Sequence, residues 1–248
     1  MNPTTSPFMA RRQILGVFLA FAAAYFLSAL IRAITATLSP TLTQELALSA
    51  QDLGLLAGGY FLGFAATQLP LGKWLDKHGP KKVLLAFLVV AVLGCIAFAL
   101  AQSFMGLWLA RVLCGVGVSA CLMAPLTGYR RWMAPGAQLR ANSWMLMTGS
   151  LGMLSSTLPV QWLMPIMGWR AIFAGLALLV VLSMVMIYVL VPVWEKPETE
   201  PQDLQLKAIE TEEGYGPVWR SAYFWRMAPI GFFCYGGLLA LQTLWAAP

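Results

Sequence analysis

The sequence predicts an all-α integral membrane protein in which a six-helix bundle is followed, after a polar linker, by a seventh transmembrane helix. Three observations carry that prediction. Apolar residues make up 59% of the 248 residues and charged residues only 10%. With a mean hydropathy of +0.72, that balance leaves too little polar surface to wrap one soluble core. Apolar runs near the roughly 20 residues that cross a hydrocarbon core recur over 13–38, 53–75, 83–102, 104–129, 141–167, 171–194 and 227–248. The runs are continuous, unlike the alternating strands of about ten residues in an outer-membrane barrel.

Each element follows in order. The opening "MNPTTSPFMARRQ" holds two arginines and no small-residue cleavage site, so residues 1–12 are expected to remain as a cytoplasmic tail before the first helix. Residues 13–194 form the six-span bundle, tied by short hairpins. "EKPETEPQDLQLKAIETEEGYGPVWRSAYFWR", residues 195–226, holds seven of the ten acidic residues and reads as a solvated cytoplasmic linker with a short helix over 201–211. The seventh span, 227–248, opens a second half that the chain does not complete. A chain that starts inside and crosses seven times ends outside, so the sequence reads as a truncated product or fragment, expected to be inactive as a transporter alone and missing a C-terminal half.

Short loops rich in lysine and arginine stay on the cytoplasmic side. Thirteen of the sixteen basic residues flank one side if the amino terminus is inside, and only Arg170 flanks the other. The remaining two, Arg32 and Arg111, lie within spans. The net charge of +6 is therefore a topology signal, with anionic lipid as its partner and no nucleic acid. Cys95, Cys114, Cys121 and Cys234 all lie in spans and suggest neither disulfides nor a metal site. The one histidine, His78, lies in a loop. No serine–histidine or zinc-ligand pair is available in the membrane, which argues against an intramembrane enzyme, and no cofactor is implied. A seven-helix receptor would need an external amino terminus, against the charge distribution.

The loop between spans two and three reads "GKWLDKHGPKK", residues 72–82. Orientation alone explains its lysines. It does not explain Asp76, since acidic residues contribute little to orientation, or Gly79, which supplies the positive φ of a tight reversal. Gly72 is expected to let a neighbouring helix approach, with Asp76 offering charge to a helix amino terminus or an arginine. This stretch resembles the glycine-x-x-x-aspartate-basic-x-glycine-basic-basic signature of the major facilitator superfamily, with Pro80 departing from it. "RVLCG" with Arg111 and Gly115, "GWRAIF" over 168–173, and "LQTLWAAP" in the seventh span are also similar to that superfamily. The resemblance implies twelve helices in two halves, each an inverted pair of three-helix repeats, with solute bound at the midplane and alternating access. It also implies that Asp76 is a gating residue supported by Lys77, Lys81 and Lys82, with Gly72 and Gly79 shaping the loop.

An arginine inside a span costs about 2.5–3.5 kcal/mol and normally faces a cavity or a partner. Arg32 lies six residues before Leu38 and Arg111 seven after Phe104, so each sits roughly 10 Å below the outer surface. The superfamily's first and fourth helices line its cavity, which places both guanidinium groups on one aqueous space. Tyr25, Ser28, Arg32 and Thr35 share one helical face. Tyr60, Gln68, Asn142 and Gln161 are further polar candidates. Gly58, Gly59, Gly63, Gly149 and Gly152 read as close-packing positions and Pro159 as a kink. None of the ten acidic residues lies within a span: Glu45 is expected in the first external loop, Asp52 and Asp76 mark the ends of span two, and the other seven lie in the linker. Arginines without carboxylates favour an anion, which guanidinium binds bidentately. The first span is also similar to organophosphate and organic-anion porters, whose first-helix arginine binds the anionic group. The expected function is a multi-pass carrier of a small organic anion in a bacterial inner membrane, with substrate bound by Arg32, Arg111, Tyr25, Ser28 and Gln161. A drug or metabolite exporter of the same superfamily is the alternative.

Overall fold

A computed structural model describes Met9, residues 11–193 and residues 219–244. Among these residues all regular structure is helical: α1 Arg11–Leu46, α2 Ala50–His78, α3 Pro80–Leu100, α4 Phe104–Val118, α5 Ala120–Trp132, α6 Pro135–Ser155, α7 Leu158–Leu190 and α8 Ala222–Leu244. Helices α1 to α7 belong to one compact unit and α8 to another. The short helix expected over 201–211 lies outside the described residues. Helix α8 begins at Ala222, five residues before the expected seventh span.

Seven helices give six membrane crossings because the elements break and merge at definite residues. Helices α4 and α5 meet at Ser119 and together supply the fourth crossing, 104–132. Helix α7 is broken at Gly168 by φ 73° and ψ 161°, so residues 158–167 complete the fifth crossing and residues 169–190 form the sixth. A second break at Thr157, φ −95° and ψ −100°, separates α6 from α7. Pro159 therefore stands in the first turn of a helix, where its missing N–H costs nothing, and does not kink one. Helix α1 runs through Pro40 to Leu46, eight residues beyond the expected end of the first span. The Ala36 carbonyl that a proline at position 40 cannot use accepts from the Ser39 hydroxyl at 2.9 Å instead. Glu45 accordingly lies on α1 and not in a loop.

The crossings by α1, α3, α4 with α5, and α7 are long and apolar enough to span a membrane. Helices α2 and α6 have the length, 29 and 21 residues, but dilute their apolar content with glycine, serine, threonine and glutamine. The packing has the symmetry of an inverted repeat. Helix α1 packs on α6 and α7, α4 packs on α2 and α3, and α3 packs on α7.

Glycine makes the two equivalent seams possible. A Cβ on Gly115 of α4 would strike the Tyr60 carbonyl of α2, and one on Gly152 of α6 would strike the Phe26 carbonyl of α1. Backbone contact this close is how helices gain dispersion energy without a hydrophobic drive inside a bilayer. Gly63 is close-packed in the same way, against the Val112 carbonyl, while Gly59 and Gly149 make room for the Trp108 and Tyr25 rings. Gly58 and Gly72 are not, since a Cβ on either would meet nothing within 4 Å. Both lie on the face of α2 turned away from the bundle.

Candidate functional site

The two embedded arginines take different environments. Arg111 is only 1% exposed. Its Nη1 donates to the Ile31 carbonyl at 2.8 Å and its Nη2 to the Arg32 carbonyl at 3.3 Å. The Tyr60 ring lies 5.0 Å from its guanidinium carbon. An unpaired cation in a dry interior is costly unless its N–H groups are satisfied; here two carbonyls and an aromatic face share that task, and the Nε is left without a partner. The expectation that both guanidinium groups face one aqueous space is therefore corrected for Arg111. It ties α4 to α1 beneath Tyr60 of α2, and one acceptor is the backbone of Arg32 itself.

Arg32 is half-buried. Its Nη2 meets the Met153 sulfur of α6 at 3.8 Å, a weak acceptor, and its Nε has no partner. Tyr60 lies within electrostatic reach of both arginines. Arg32 is thus a cation fixed through its own carbonyl by Arg111, with donor capacity that the described residues leave unused. Thr35, one turn further out, also has a buried hydroxyl without a partner.

The other expected residues disperse. Tyr25 is 9% exposed and its ring lies where a Cβ on Gly149 would stand. Ser28 is buried and linked by a hydrogen bond to Cys121. These two face helices α5 and α6 of the same unit. Gln68 Nε2 reaches the Ser119 carbonyl at 3.5 Å, at the joint between α4 and α5. The Asn142 Oδ1 is buried without a partner, and Gln161 is exposed on the segment 158–167. Met153 was not foreseen from the sequence. Nothing in its local pattern marks it, because a methionine in an apolar run reads as core.

Around the second loop, Asp76, Lys77 and Lys82 are exposed, and Asp76 has no ion pair among the described residues. Lys81 does not support it. Its Nζ donates to the Val191 carbonyl at the end of α7 at 2.7 Å and lies 5.1 Å from the Tyr188 ring, because a helix carboxyl end draws a cation. At the opposite end of the bundle, Arg170 pairs with Glu45 at 3.0 Å and Trp169 Nε1 donates to the same carboxylate oxygen at 2.8 Å.

A sequence profile of the Major Facilitator Superfamily matches residues 21–247. The chain belongs to that superfamily. Its curated relatives include a probable sulfoacetate transporter of Cupriavidus necator, 29% identical over 124 residues, 50% of this chain and 28% of the relative. A galacturonate transporter of Dickeya chrysanthemi is 25% identical over 210 residues, 80% of the chain and 61% of the relative. A chloramphenicol resistance protein of Pseudomonas aeruginosa is 32% identical over 147 residues, 56% and 33% of the two chains. The fold matches a bacterial homologue of the human lysosomal transporter Spinster, inward-facing and unoccupied, with a TM-score of 0.71 and 18% identity, over 96% of this chain and 56% of that one. The superfamily chain thus spans between a third and two thirds of the length of most of these proteins, and less of the sulfoacetate transporter.

Proposed function

We propose that this superfamily member forms the amino-terminal half of a secondary carrier that moves a small organic anion by alternating access. The anionic group is taken by Arg32 and the amino terminus lies in the cytoplasm. The observation that carries the reading is the unequal state of the two arginines: Arg111 is 1% exposed and donates both terminal nitrogens to α1 carbonyls, while Arg32 is half-buried and its Nη2 meets only a sulfur, the Nε of each being without a partner. Glu45, the acid on α1, is taken by Arg170 and Trp169, and Arg32 makes no ion pair among the described residues, so the cation is available to a carboxylate, sulfonate or phosphate, which guanidinium binds with two parallel hydrogen bonds. The relatives named for sulfoacetate and galacturonate support an acidic solute.

Arg111 acts through Arg32 by fixing its backbone, and Thr35 is placed to add a hydroxyl. Uptake of labelled galacturonate and sulfoacetate into proteoliposomes, by the complete transporter that contains this half, tests the proposal. Arg32→Gln is expected to lower uptake by at least about tenfold, the scale of one lost charge-assisted hydrogen bond, and Arg32→Lys to lower it less. Full uptake by Arg32→Gln would sink the proposal. The chloramphenicol resistance relative favours a second reading, export of an uncharged solute. Drug efflux that is indifferent to Arg32→Gln would support it.

A further inference from the structure

The transport reading leaves unused a groove at the basic end of the six-helix unit. It lies between the first turns of α1 and those of α6 and encloses about 980 Å³. Arg12 and Arg140 stand on its two walls, both exposed. Neither has an ion-pair partner among the described residues. Helix α6 opens at Pro135 behind Ala134, whose side chain makes no capping hydrogen bond, so the positive end of the helix adds to the two guanidinium charges.

The rest of the lining is apolar. Leu15, 57% exposed, lies one turn along α1 from Arg12, and Trp144, 55% exposed, lies one turn along α6 from Arg140. Phe18 and Ile14 pack against the core and form the floor. Positive charge, then an indole, then an aliphatic floor about 6 Å further along the helices is the sequence of environments met on going from a phospholipid headgroup into its acyl chains.

We propose that this groove binds one anionic phospholipid of the leaflet at the basic end. Its phosphodiester lies between Arg12, Arg140 and the uncapped start of α6, and an acyl chain lies along Leu15, Trp144 and Phe18. A small free anion would satisfy the arginines and leave the apolar floor to water. A zwitterionic lipid would cover the floor and bring no net charge to two cations. A partner helix would need its own carboxylates at the mouth. Charge complementarity therefore selects a lipid with net negative charge.

The test uses the purified 248-residue chain in uncharged detergent, with lipid adducts counted by native mass spectrometry during titration with phosphatidylglycerol, phosphatidylcholine or inorganic phosphate. One phosphatidylglycerol adduct is expected on the wild type, weakened at least about tenfold in Arg12→Gln/Arg140→Gln. It should be retained in Lys77→Gln/Lys82→Gln, which removes the same charge from the same end. Arg12→Lys/Arg140→Lys should keep most of the binding, and far-ultraviolet circular dichroism of each variant should match the wild type. Equal weakening by both glutamine pairs would overturn the proposal in favour of diffuse attraction. Displacement by stoichiometric phosphate would overturn it in favour of a small-anion site. Equal phosphatidylcholine binding would overturn the role of charge, and a dimer mass in place of the adduct would show that a second copy fills the groove.

Discussion

Two single-residue turns, at opposite ends of the bundle, are built to the same pattern and used differently. Gly79 joins α2 to α3 with φ 79° and ψ 162°. Gly168 joins the fifth crossing to the sixth with φ 73° and ψ 161°. Two residues after each glycine a cation donates to the carbonyl that ends the other outer helix: Lys81 to Val191 of α7, and Arg170 to Ala101 after α3 at 3.4 Å. Since α3 and α7 pack side by side, each helix is capped at its carboxyl end from the start of its neighbour. The turns differ in their acids. Glu45 is bound by both Arg170 and Trp169, so the turn at Gly168 is closed within the unit. Asp76, beside Gly79, has no ion pair among the described residues, and Gly72 on the same helix faces open space. One turn is closed by an ion pair within the unit, and the other leaves its acid exposed and without an ion pair among the described residues.

The sharpest way to break this equivalence is substitution of the glycines. Both conformations lie in a region that only glycine occupies comfortably, at a cost of about 1–3 kcal/mol for any other residue. Gly79→Ala and Gly168→Ala should each lower the melting temperature of the detergent-solubilised chain by about 5 °C. Tolerance at one and not the other would show that the turns are not alike. Next in size is Glu45→Ala, which leaves the N–H of Trp169, 1% exposed, without an acceptor. A loss of about 1–2 kcal/mol is expected, whereas Asp76→Asn should leave the stability of the isolated chain unchanged. Equal effects would erase the contrast drawn here. Lys81→Met should cost about 0.3–1 kcal/mol, the worth of a cation at a helix carboxyl end, read in the same unfolding experiment.

The smallest effect concerns Asp52, at the amino end of α2. The Ser49 hydroxyl, and then the Ser49 backbone N–H at 2.9 Å, hold its carboxyl below the usual range. A depressed folded value means that the cap contributes above the unfolded value near about 3.9 and is lost as pH falls through the lower folded one. A small drop in stability confined to that acid window, absent in Asp52→Asn, is the expected signature.

The spans and the turn at Gly79 were legible in the sequence, because apolar length and a lone glycine among basic residues are local signals, whereas Gly168 stood out only as part of a motif similar to the superfamily's. The breaks were less so. Pro159 announced the one at Thr157 but was assigned the wrong role, and Ser119 carries no punctuation beyond the small residues before it. Partners were hardest to read. Glu45 and Arg170 lie 125 positions apart, and the acceptors of Arg111 are backbone carbonyls, which no residue type betrays. Arg32 and Arg111 were both picked out by the cost of burying charge, and that cost is indifferent to whether the charge meets a solute or the protein's own main chain. Gly58 and Gly72 show the converse, since a glycine in a helix signals permission for close approach without naming what approaches.

The fork of Arg111 also has a mechanical meaning. Its two bonds grip consecutive carbonyls of α1, so sliding that helix by one residue, about 1.5 Å, would rupture both and strand a cation away from water. Shear between the first and fourth crossings by that distance therefore costs both bonds at once. The rivet thereby holds the first and fourth crossings in one register.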